Sequence, residues 1–89
     1  MIMLTEVYKR QTSTQENKDY SLRQILINPQ QVMMLREDEK MKDCFKRGKL
    51  PSELDERQKF TRLHLNTLNN SSITVVGDMH TTCKKLLGG

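Results

Sequence analysis

The sequence predicts an α+β, mainly β domain: a small five-stranded antiparallel meander or barrel-like sheet with a charged helical insertion and a short C-terminal helix. Three observations point there. Residues 60–76 alternate apolar and polar side chains on both sides of a short Asn/Ser link, the signature of a β-hairpin. Residues 78–87 repeat apolar positions at helical spacing. Between these and the N-terminal strands lies a charge-rich stretch, residues 37–59, of a different character from its surroundings.

Length and composition set the scale. Eighty-nine residues make a single domain, residues 1–89, with room for one modest core. Only 35% of the residues are hydrophobic, so the core alone supplies limited stability and burial against a partner is a natural supplement. Fifteen Lys and Arg against eleven Asp and Glu leave a net charge of +4, but the signs are interleaved, as on an ordinary solubilising surface. Aromatics at 4% are too few for a base-stacking platform.

Residues 1–10 open the sheet: Ile2, Leu4 and Val7 sit in an extended pattern with both faces partly apolar. Residues 11–19 carry no hydrophobe and read as an exposed loop. Residues 20–27 form the second strand, with Leu22 facing opposite to Ile25 and Ile27, so one of those sets lies outside the core unless both faces of the sheet are covered. Asn28-Pro29 ends it, since proline lacks the ladder donor, and residues 32–36 resume as a short strand.

In the insertion, acidic residues precede basic ones over residues 37–48, matching the helix macrodipole, and Met41, Cys44 and Phe45 mark one face. Gly48 supplies the stop. A break at Pro51-Ser52 leads to a second, charged turn of helix. After the hairpin, Asp78 is a good N-cap, and Met79, Cys83, Leu86 and Leu87 form the apolar face of the last helix. The core expected from these patterns comprises Leu4, Val7, Leu22, Ile25, Ile27, Val32, Met34, Leu63, Leu65, Ile73, Val75, Met79, Cys83 and Leu86.

No catalytic, cofactor or metal site is expected. His64, His80, Cys44 and Cys83 are the whole complement of soft ligands, and only His80 and Cys83 stand at a shared-face spacing. No glycine-flanked nucleophile or phosphate-cradling loop is present, and the carboxylates cluster on a solvated helix. The widely spaced cysteines, with no export signal, suit reduced thiols and a cytoplasmic address, and no apolar run of membrane length occurs.

Several segments together resemble the FlbD-like family of very small flagellar and swarming-motility proteins. They are Met1-Ile2-Met3-Leu4-Thr5, Ile27-Asn28-Pro29 before a strand, Thr61-Arg62-Leu63-His64-Leu65, and Ile73-Thr74-Val75-Val76 before a short helix. The resemblance implies the same strand order along the chain and no catalytic residues. It departs at residues 11–19, where the family turns tightly, at residues 37–59, which have no counterpart, and at Gln30, where an acidic residue is usual. The chain is also similar in general character to small proteins of tailed phages, including those infecting cyanobacteria.

The expected function is a non-catalytic protein-interaction module, a phage or bacterial accessory or regulatory protein that binds a host or virion protein. Lys42, Phe45, Lys46 and Arg47 of the insertion are the expected contact residues, so deleting residues 38–58 should abolish binding and spare the fold. The alternative is a small basic nucleic-acid-binding regulator using Arg23, Arg36 and Arg62, with Arg23 and Arg62 on one surface. A free strand edge at the N-terminus favours pairing between chains, as in a homodimer.

Overall fold

The computed structural model describes residues 1–9, 20–51, 54–67 and 71–88. The expected loop at residues 11–19, the tip of the hairpin at 68–70 and the Ser52 part of the expected break lie outside the described residues. The chain runs β1 (Ile2–Lys9), β2 (Tyr20–Ile27), a 3-10 turn (Pro29–Gln31), β3 (Val32–Glu37), α1 (Glu39–Lys46), β4 (Phe60–Leu65), β5 (Ser72–Val76) and α2 (Met79–Gly88). The five strands form one antiparallel sheet in the order β2-β1-β5-β4-β3. The mainly β, α+β class is therefore as the patterning predicts. The order is not that of a linear meander, because β1 pairs with β5 as well as β2, leaving β2 and β3 as the two edges among the described residues.

The hairpin of β4 and β5 closes in the register Phe60↔Val76 and Leu63↔Ile73, so like faces meet across the pair. In β1 and β2 the register Ile2↔Ile27, Leu4↔Ile25 and Val7↔Leu22 does the same for both faces at once. Ile2, Leu4, Ile27, Leu63 and Val75 form a buried cluster on one face, with Ile25, Leu35 and Leu86 of α2 packed against it. Val7 and Phe60 lie in a second cluster with Met41 and Leu50, joined by Leu22, Phe45, Leu54 and Val76. Two-sided cover resolves the opposed orientations of Leu22 and the Ile25/Ile27 pair: each set belongs to its own cluster.

Four expectations are corrected. Residues 37–59 are not an appendage. Met41 and Leu50 are buried, Phe60 is fully inaccessible, and the Phe45 and Phe60 rings meet edge to face at 5.7 Å. Removing residues 38–58 would strip the cover from one face of the sheet. Second, Met34 and Met79 stand out of the core, while Ile2, Met41, Leu50 and Phe60 enter it. Met34 lies on an edge strand, and Met79 is the first residue of its helix. Third, the strand at 32–36 extends through Glu37, and Asp38 rather than Glu37 starts the helix. Fourth, no second helical turn follows Pro51 among the described residues. Asp55 instead organises a tight turn, accepting from Arg57 N–H at 2.8 Å. Gly48 does stop α1: it adopts φ +76° and donates to the Phe45 carbonyl at 3.0 Å.

Phe60→Ala should lower unfolding free energy by about 3–5 kcal/mol in a urea titration. The deletion of residues 38–58 should leave no cooperative transition, since a domain of this size has little stability in reserve.

Candidate functional site

The densest polar arrangement surrounds Asp38, at the junction of β3 and α1. Its side chain is 3% exposed, and both carboxylate oxygens accept hydrogen bonds, three in all. One carboxylate oxygen accepts from Met41 N–H at 3.0 Å, capping α1. The other accepts from Thr74 Oγ1 at 2.5 Å and from Arg62 Nε at 3.3 Å. Its own N–H donates to the Phe60 carbonyl at 2.8 Å. Arg62 also donates to Ser72 Oγ at 3.3 Å. Burial pushes the Asp38 carboxyl upward and is the largest single influence. The hydrogen bonds from Thr74 and Met41 N–H, with the charge and hydrogen bond of Arg62, together outweigh it and hold the group below its ordinary 3.8. Asp78, capping α2 through Thr81 N–H at 2.6 Å, is likewise lowered, by that bond first. Both carboxylates are committed to structure.

The expected contact residues scatter. Phe45 belongs to the core beside Phe60, Lys42 is half-buried, and only Lys46 and Arg47 are exposed. Arg23 and Arg62 do not share a surface. Arg23 stands opposite Glu6, whereas Arg62 lies in the row of Thr74 and Val7, one residue out of step and on the other face. Arg23 is further bound to Glu6 at 2.7 Å and stacked over the Tyr8 ring at 4.3 Å. Arg36 is the exception: it sits directly opposite Arg62, is exposed, and has no ion pair among the described residues. His64 is half-buried, and its Nε2 has no hydrogen-bond partner among the described residues. Among the described residues, no group of three or more His, Cys, Asp and Glu converges as metal ligands would.

What residue patterning overlooked is an apolar surface. A groove runs between β3 and α2, lined by Met33, Met34 and Leu35 on one side and Cys83, Leu86 and Leu87 on the other. Met33 is 67% exposed and Leu87 84%. At the β1–β2 end, Met3 and Leu26 pair across the ladder and are exposed together beside Met1. Of the six methionines, only Met41 is buried. Two signals in the chain marked the groove: three consecutive apolar residues at 33–35, which cannot all face one side of a strand, and the adjacent Leu86 and Leu87 of a helix covered on one side.

Comparison with protein-family models, with curated proteins and with solved structures finds no match.

Asp38→Asn should destabilise the fold by about 2–3 kcal/mol at neutral pH, through a weakened cap and a lost charge partner for Arg62. Because the folded carboxyl is lowered, its contribution is complete above the unfolded carboxylate pKa and fades as pH falls through the folded one. Denaturant midpoints of parent and variant should therefore diverge at neutral pH and converge in acid.

Proposed function

We propose that this protein is a non-catalytic interaction module, an accessory or regulatory protein of phage or bacterial type that acts by binding another protein. The observation that carries this reading is the outward display of methionine and leucine. A chain with 35% hydrophobic residues has few to spare, yet Met3, Leu26, Met33, Met34 and Leu87 are all at least half exposed. Apolar side chains gathered on a surface favour partner burial, and methionine, unbranched and polarisable, adapts to partners of differing shape. The basic residues support nucleic-acid binding less well. Arg62 is answered by Asp38 and Arg23 by Glu6, on opposite faces of the sheet.

Incorporation of a photo-reactive methionine analogue in the native host provides the test. Illumination should cross-link the chain to one dominant protein, and Met33→Asp with Met34→Asp should cut the yield at least about fivefold while leaving the unfolding transition in place. Fluorescence anisotropy with labelled RNA and DNA is the counter-measurement. Binding that falls steeply with salt and is abolished by Arg36→Glu would replace this reading with the nucleic-acid one.

A further inference from the structure

Among the described residues, the outer side of β3 is an open strand edge. β3 pairs there with β4 alone, and the bond from Asp38 N–H to the Phe60 carbonyl fixes which residues point inward. By the alternation of an antiparallel ladder, Arg36 and Met34 share that inward phase, and the backbone N–H and C=O of Leu35 and Glu37 point off the sheet. A strand laid along this edge would send alternate side chains to two different faces. On one they meet Leu35 and the groove beneath α2, with Leu86 and Leu87. On the other they meet Arg36.

Arg36 is the unusual residue here. Like charges directly opposite in a ladder repel, and Arg36 stands across from Arg62. Asp38 answers Arg62 and, with Thr74 and Met41 also bound to it, is fully engaged. Arg36 is left without an ion pair among the described residues, although Glu37 and Glu39 line the same shallow pocket, and its outer side is where a further strand would place an anion. Lys84, next in the chain to the groove residue Cys83, adds an exposed cation on α2, and α2 contains no acidic residue.

We propose that β3 accepts an extended segment of another protein as a sixth strand. That segment presents apolar side chains to the Leu35–Leu86–Leu87 groove and a carboxylate opposite Arg36. This rests on the interaction-module reading and specifies its mode. The charge pattern separates this occupant from a second copy of the chain. Pairing β3 with itself places two Arg36 side chains at one interface, while Asp38 is already bound to Arg62 and Thr74. The other open edge, β2, fits the role less well because Arg23 already has its carboxylate in Glu6.

Three eight-residue peptides probe the intact chain: one alternating leucine or valine with glutamate, one with lysine in place of glutamate, and the glutamate peptide N-methylated at alternate amides. NMR titration should show the Leu35 and Glu37 amides shifting and exchanging more slowly with the glutamate peptide. The lysine peptide should bind about fivefold more weakly, the N-methylated peptide should not bind, and Arg36→Glu should reverse the charge preference. Equal binding of the N-methylated peptide, or shifts that avoid β3, would overturn the proposal. So would a free chain that sediments as a dimer with those amides already protected. If all three peptides fail while methionine cross-linking still depends on Met33 and Met34, strand addition falls and the interaction module stands. Failure of both removes the module as well.

Discussion

A single buried carboxylate joins the parts of this fold. Asp38 ends β3, caps α1 and ties both to β4 and β5 through Arg62 and Thr74. A charge so placed is costly to bury unless it is paired and hydrogen-bonded, and here three hydrogen bonds, one from a guanidinium, hold it. The geometry has a directional consequence: it sets where α1 leaves the sheet, and so which face α1 covers. Met41 and Phe45 then reach Phe60 and Val7. Without the capping bond, the helix would have an uncompensated first turn and no fixed exit angle.

Around that junction the sheet is covered on both sides but not all over. α2 takes one face through Leu86 and the fully buried Thr82; α1 and the segment carrying Leu50 and Leu54 take part of the other. Two helices of eight and ten residues cannot cover a five-stranded sheet. The uncovered margins hold the exposed methionines and leucines. Surface apolarity in this molecule is thus a consequence of its small size, concentrated at two places rather than dispersed.

The charged groups divide along the same line. Those that stabilise the fold are paired inside or at its rim, as with Asp38–Arg62 and Glu6–Arg23. Arg36 and Lys84 remain without ion pairs among the described residues; Arg36 stands on the same edge strand as the groove residues Met33 and Leu35 but on the opposite face from Leu35, and Lys84 follows the groove residue Cys83 on α2. Apolar groove, open edge and unanswered cation coincide in one region, and it is their coincidence that gives the region a direction and a preferred charge.

Sequence by itself determined the strands and helices. Alternation over residues 60–65 and 72–76, the proline after Asn28 and the helical spacing of Cys83 and Leu86 are local properties, fixed within a few residues by side-chain direction and backbone sterics. The opposed orientations of Leu22 and Ile25 left two possibilities, one set outside the core or a sheet covered on both faces. Which elements supply the second cover was decided only by tertiary structure. Residues 37–59 read as a solvated insertion because their charge outweighs their few hydrophobes, and Met41, Leu50 and Phe60 are too widely spaced to declare a common cluster. Strand order was equally out of local reach. The pairing of β1 with β5 joins residues almost seventy positions apart, and it is that contact which leaves β3 at an edge and Arg36 beside it.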